Sequence, residues 1–285
     1  MTRQDVIVVI GATGNVGRQV VRGLLDEGRT VRALVRTPET ARLPEPVEMF
    51  RGDLTSPETL RPALDGARSV FLVWPSLPLA AAPAVVDALA EGDRRIVYLS
   101  SAGIDDDREE QADPINHFHA GLERLIEGSG ARWTFLRCTS FATSILEWGD
   151  QVREGVVREA FGGSSRTLIH ERDIAAVAVR ALTGDGYGGR RLMLSGPAPI
   201  SQVEQVRVIG EVLGRPVRFE EVPLDVLRER MRAEGWSDPD IDGMFTAYAA
   251  MAALDQPVWN TVEEVTGRPA RTFRQWVDDH APAFS

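Results

Sequence analysis

Short apolar runs alternate with longer amphipathic stretches through the first half of the chain. Val6–Ile10 reads as a buried parallel strand, and Thr30–Val35, Val47–Phe50, Val70–Val73, Ile96–Leu99 and Trp133–Leu136 read as further strands. The intervening segments carry helical spacing. Val16, Val20, Leu24 and Leu25 share one side of a helix. Leu60, Ala63 and Leu64 supply the buried face of a second, which Ser56 caps and Pro57 opens. Further helices are predicted over Leu79–Ala90 and Ile115–Glu127, the latter ended by Gly128. Repeated strand–helix units with right-handed crossovers predict an α/β fold, a Rossmann-type doubly wound parallel sheet.

After Cys138 the rhythm changes. Helices are predicted over Ile174–Leu182 (capped by Asp173), Gln202–Leu213 (ended by Gly214), Pro223–Gly235, Pro239–Leu254 and Thr272–His280, with strands at Arg191–Leu194 and Val217–Val222. This mixture predicts a cofactor domain over residues 1–150 and a smaller mixed α+β substrate part over 151–285, with the chain free to cross between them. With no linker in the sequence, the two are expected to share an interface, a common place for ligands.

The turn after the first strand carries the clearest chemistry. Gly11, Gly14 and Gly17 form G-x-x-G-x-x-G between a strand and a helix. Backbone N–H groups and the positive helix end there suit a pyrophosphate, and glycine allows its close approach. Thr13, Asn15 and Val16 complete the expected cradle. The plainer alternative is glycines serving only a tight turn. The second strand ends at Arg36, where a site selective for NADH usually places an acid. A guanidinium suits the 2′-phosphate of NADPH instead, and Arg18 is placed to join it. The alternative is a solvated surface arginine. Asp53 and Leu54, in RGDL after the third strand, are expected beside the adenine, although Asp53 reads equally well as a turn residue.

Composition narrows the classes. Among 285 residues the net charge is −10, which argues against general nucleic-acid binding, and apolar content of 43% suffices for a sizeable core. The one cysteine, Cys138, permits no intrachain disulfide and fits a reducing compartment. No apolar run reaches the length of a membrane span, and no targeting segment is read at the start. A cytoplasmic protein, monomer or homodimer, acting on a small molecule is expected. No spacing suggests a metal site.

The chain resembles the NmrA-like atypical short-chain dehydrogenase/reductases. The resemblance rests on GATGNVG (Gly11–Gly17), Arg36, GDL (Gly52–Leu54), LSSAG (Leu99–Gly103), HAGLERLIEGSG (His119–Gly130), WTFLRCTSF (Trp133–Phe141) and ERDIAAVAVRAL (Glu171–Leu182). It implies a Rossmann-type domain and a small substrate domain. Main-line relatives use Tyr-x-x-x-Lys after the fifth strand. Matching on Glu123 places His119 at the lysine and Ile115 at the tyrosine, so the usual tyrosine-dependent carbonyl reduction is not supported. Cys138 stands where the family often has proline, beside the cofactor, and reads more readily as a buried thiol than as a reactive one.

His119 is the leading proton donor, since histidine titrates at about pH 6.5; its alternative is a hydrogen-bonded structural histidine. His117, two residues away, points elsewhere. Ser100 and Ser101, at the end of the fifth strand, either polarise a substrate oxygen or cap a loop. Trp74 and Pro75 are expected to wall the nicotinamide pocket. Phe141, Ile145, Trp148, Met244 and Tyr248 suggest an apolar or aromatic substrate, each being on its own an ordinary core candidate. The acidic run Asp105–Glu110, if it lies near the site, disfavours anionic substrates. The leading expectation is an NADPH-dependent oxidoreductase passing hydride to a small conjugated, carbonyl or quinone-like acceptor. The alternatives are a non-catalytic NADP(H)-sensing regulator and a non-redox isomerase, cyclase or dehydratase.

Overall fold

The computed structural model describes residues 6–75, 79–111, 113–253 and 256–285. Seven strands are labelled β1 (Val6–Ile10), β2 (Thr30–Val35), β3 (Glu48–Arg51), β4 (Ala67–Leu72), β5 (Arg95–Ser101), β6 (Arg132–Cys138) and β7 (Arg190–Leu194). They form one parallel sheet in the order β3-β2-β1-β4-β5-β6-β7. The order reverses between β1 and β4, the crevice where doubly wound folds bind dinucleotides.

Helices α1 (Asn15–Asp26), α2 (Ala82–Ala90), α3 (Pro114–Gly128) and α4 (Glu171–Thr183) cover the sheet. Strand alternation sends Val8, Ile10, Val70, Leu72, Ile96, Tyr98 and Phe135 into one apolar cluster with Val85, Leu89, Leu122 and Ile126 of α2 and α3. The opposite face lies under α1 and α4, which pack on each other. Arg95 fixes α4 from beneath. Its Nη1 donates to the carbonyls of Ala181, Leu182 and Gly184, acceptors that the end of a helix leaves open.

The chain folds as two compact units. The first holds the described residues through Cys138 together with Glu171–Leu194 and Thr261–Arg268. The chain therefore divides after Cys138 rather than at residue 150, because α4 and β7 return to complete the sheet. β7, expected in the C-terminal part, pairs with β6 instead (Leu136 with Leu192). Asp173 is a buried residue of α4 rather than its cap. The segment after Ser56 begins as a 3₁₀ turn, Pro57–Leu60, and Ser56 makes no side-chain cap bond. Leu254, the expected end of one helix, lies outside the described residues.

The second unit holds described residues of Thr139–His170, Ser195–Asn260 and Pro269–Ser285. Val156–Glu159 pairs in parallel with Arg218–Glu221, and Ser165–Arg166 pairs antiparallel with Ile200–Ser201. One core gathers Ile145, Trp148, Val206, Ile209 and Trp276; another gathers Leu227, Met231, Ile241 and Phe245. Thr272 and Gln275 form a capping box at the start of Phe273–His280.

A buried ion pair ties α3 to β6. Arg137 donates from Nη2 to Glu123 Oε2 at 2.6 Å and from Nε to Oε1 at 3.0 Å, and both side chains are 3% exposed. Its remaining donors reach Asp106 at 2.7 and 2.8 Å. Hydrogen bonding to Arg137 holds the Asp106 carboxyl below its ordinary pKa. Removing one partner of such a pair strands the other charge. Arg137→Ala is expected to cost about 3–5 kcal/mol in denaturant unfolding, and Arg137→Met with Glu123→Leu to recover most of it. A loss below about 1 kcal/mol for Arg137→Ala, the range of exposed pairs, would contradict the assignment.

Candidate active site

The carboxyl ends of the strands gather the sequence-predicted residues. β1 ends at Ile10, and Gly11 turns the chain at φ +85°, a conformation that suits glycine. A Cβ on Gly17 would stand 2.1 Å from the Gly11 carbonyl oxygen, so only glycine permits this closeness of turn and helix. Gly14 occupies the cap position of α1 with extended backbone and no side-chain cap. The first N–H groups of α1 are thus left for a ligand. Thr13, Gly14 and Asn15 are exposed around them, while Val16 is turned into the core. Arg18 straps the turn, its Nη2 donating to the Thr13 carbonyl at 3.0 Å. Bare N–H groups, a glycine floor and exposed flanks fit a pyrophosphate.

Arg36 follows β2. Its carbonyl accepts from Arg51 Nη1 at 3.0 Å, while its side chain is exposed and has no partner among the described residues. Asp53 is the turn residue that one of its two readings foresaw. Its Oδ1 accepts from the backbone N–H and hydroxyl of Thr55, each at 2.8 Å, an Asx turn that leaves Oδ2 open. These bonds, then the nearby Arg36 charge, keep its pKa low. Leu54 is buried in the core, so any cofactor contact falls to its backbone. Beside α1 a groove of about 720 Å³ is lined by Arg18, Arg22 and Arg42, of which Arg22 and Arg42 were not singled out from the sequence.

After β4, Trp74 is 6% exposed and packs in the core, whereas Pro75 is exposed. At the end of β5 the two serines part. Ser100 is 3% exposed and donates to Glu123 Oε1 at 2.5 Å, which commits its proton to the buried ion pair. Ser101, at the strand's end, donates to Asn116 Oδ1 at 2.6 Å near the start of the same helix, while accepting from the Gly103 N–H.

His119 lies on α3 with its Nδ1 2.5 Å from the Tyr98 hydroxyl, the rings 5.8 Å apart. Phe118 meets it edge-on at 5.4 Å. Burial lowers its pKa to about 4, only partly opposed by the Asp113 charge. Burial and then the Glu123 charge raise that of Tyr98. His119 is therefore a neutral imidazole. Sequence reasoning singled out His119 but missed Tyr98, because strand and helix meet only in the fold. His117 lines a separate hollow of about 470 Å³ with Leu79, Gln111, Asp113, Pro114 and Phe118. Ile115, at the tyrosine place, is 68% exposed.

Cys138 is buried, its Sγ directed at the Leu136 carbonyl, and burial raises its pKa. It is an unreactive thiol. The five expected substrate residues are not brought together. Ile145 and Trp148 are core residues of the second unit, and Phe141 is half-buried beside them, bridged to Ile169. Met244 and Tyr248 lie on the helix Asp238–Ala253, with Met244 against the other core and Tyr248 beside Phe161. Among the described residues no cluster of side chains is arranged to hold a metal, and no helix is long and apolar enough to cross a membrane.

Residues 11–185 match the NAD(P)H-binding family. Over 288 residues the chain is 39% identical to the (4-alkanoyl-5-oxo-2,5-dihydrofuran-3-yl)methyl phosphate reductase of Streptomyces griseus, covering 98% of this chain and 99% of that protein. It is 34% identical over 286 residues to the NAD(P)H azoreductase of Xenophilus azovorans, covering 98% and 99%. In fold it is similar to the triphenylmethane reductase of Citrobacter sp., with a TM-score of 0.80, 22% identity and coverage of 96% and 98%. A glycine cradle at the sheet's switch point and matches along nearly the whole length agree: the chain belongs to the NmrA-like atypical short-chain dehydrogenase/reductase family of NAD(P)H-binding oxidoreductases.

Proposed function

We propose that this chain is an NADPH-dependent reductase of a small conjugated, carbonyl or quinone-like acceptor that works without a Tyr-x-x-x-Lys pair. The observation that carries the cofactor choice is Arg36, an unpartnered, exposed guanidinium at the end of β2 where an acid would select NADH. Its planar fork suits the 2′-phosphate. The glycine turn holds the pyrophosphate, and Asp53 Oδ2 is free to accept from the adenine amino group. NADPH, when bound, supplies the hydride.

The chain's own part is to orient the acceptor and to manage one proton. Reduction of a conjugated acceptor spreads negative charge, which lessens the need for a strong acid. His119 is assigned as a neutral hydrogen-bond donor rather than an imidazolium. The Tyr98 hydroxyl is assigned as the donor to Nδ1, which leaves the imidazole proton on Nε2 to donate a hydrogen bond to the charge developing on the acceptor oxygen, while solvent supplies the proton that completes the reduction. Ser101 remains a candidate to polarise that oxygen, whereas Ser100 positions Glu123. The relatives named for reduction of a dihydrofuranone phosphate and of azo compounds support a reducible conjugated acceptor.

Arg36→Ala is expected to weaken NADPH binding by about 10-fold or more, the scale of a lost charge-assisted contact, and to leave NADH binding unchanged. Nicotinamide fluorescence titration checks this; equal loss for both cofactors would remove Arg36 from 2′-phosphate recognition.

The His119 ring is expected to titrate near pH 4 by NMR, and Tyr98→Phe to raise that value. Its folded pKa lies below the unfolded one of about 6.5, so the unfolded chain takes up this proton first. Stability should therefore fall as pH drops from about 6.5 towards 4, and His119→Asn should remove that part of the slope. A midpoint near 6.5 would contradict the neutral-donor role. In the same variant turnover of a quinone or enone should drop while NADPH affinity holds.

A further inference from the structure

Arg166 of the second unit has no use in the reading above. It lies on the short strand Ser165–Arg166, paired with Ile200–Ser201. Its guanidinium sits over the Tyr248 ring, 4.3 Å from the centroid. It has no carboxylate or hydrogen-bond partner among the described residues, and its Nε is a buried donor left without an acceptor. Ser164 Oγ and Thr167 Oγ1 beside it in sequence are likewise buried without a partner, and a group of such atoms calls for an explanation. Three carboxylates of the same unit are engaged elsewhere. Asp238 and Asp242 pair with Arg228, and Glu159 with Arg230.

The surroundings fit a recognition site. Phe161 meets Tyr248 at 5.9 Å and Phe245 at 6.0 Å, both edge-on. Phe161 adopts φ +61°, a left-handed conformation unusual for a bulky residue and frequent where strain serves function. Two glycines follow it. A Cβ on Gly162 would stand 2.5 Å from the Phe219 ring, so the turn that aims Phe161 is sterically fixed. An aromatic wall and a half-buried, unpaired guanidinium thus lie side by side.

We propose that Arg166, with Tyr248 and Phe161, forms a site for the anionic group of an apolar acceptor, a phosphate ester or a carboxylate. The planar guanidinium offers two parallel N–H groups to such an anion, and Tyr248 holds it flat for that pairing. This deepens the reductase reading and rests on it for the word acceptor. The S. griseus relative, named for a methyl phosphate substrate, is consistent with the phosphate branch.

The test is calorimetry on the full chain saturated with NADP⁺, so that phosphate sites of the cofactor cradle are filled. Phenyl phosphate, benzoate and benzyl alcohol serve as probes. One anion, or both, is expected to bind at least about 10-fold tighter than the alcohol, the scale of one charge-assisted contact. The better anion identifies the branch. Arg166→Gln should abolish the preference, Arg166→Lys should keep part of it, and NADP⁺ affinity should stay unchanged in both. Thermal unfolding verifies that the variants fold; if Arg166→Gln does not, Tyr248→Leu takes its place and should weaken the preference. Equal binding of all three probes, or an anion preference that survives Arg166→Gln, would overturn the proposal. Binding needs no turnover, so a chain that binds these anions yet reduces nothing would refute the reductase reading and leave the site standing.

Discussion

The site depends on one steric fact: the helix that follows β1 begins almost in contact with the turn that precedes it. Gly17 presses on the Gly11 carbonyl, with no room for a methyl group between them. That closeness puts the unsatisfied N–H groups of α1 at the carboxyl end of β1 and aims them at one point. The parallel order of the sheet then brings Arg36, Asp53 and Ser101 to the same edge, because each ends or follows a strand that runs the same way. Cofactor recognition follows from backbone geometry first and from side chains second.

The β5–α3 contact illustrates a second constraint. Alternate residues of β5 face α3, so Tyr98 and Ser100 share a side, and Ser101 at the strand's end reaches the start of the same helix at Asn116. The buried side must satisfy every polar atom it holds. Ser100 and Arg137 do so around Glu123, and Tyr98 does so with His119. A histidine buried in that way favours its neutral form. The same accounting marks Arg166, whose Nε is, with Ser164 Oγ, Thr167 Oγ1 and Gln205 Oε1, one of the buried polar atoms that the second unit leaves open.

Most of the sheet was legible from apolar runs, because strands buried on both faces lack polar interruptions. β7 was read as a strand at Arg191–Leu194 but assigned to the C-terminal part, because its pairing with β6 is a long-range choice that local pattern does not encode. The glycine motif and Arg36 were readable because position along the chain fixes their place in the fold. Tyr98 was not, since only the packing of strand against helix brings it to His119. Met244 and Tyr248 were correctly placed on one helix, yet their grouping with Ile145 and Trp148 failed, because helical spacing gives faces and not neighbours. Asp173 read as a cap, and helix α4 begins earlier and buries it.

The most direct test of the account is a fluorescence titration of the wild-type chain and of Gly17→Ala with NADPH, at a temperature where both are folded. The account predicts saturable binding by the wild type and its loss in the variant, because one methyl group must push the helix end away from the turn. Saturable binding of equal affinity in both, or none in either, would contradict the claim that this close approach builds the cofactor site.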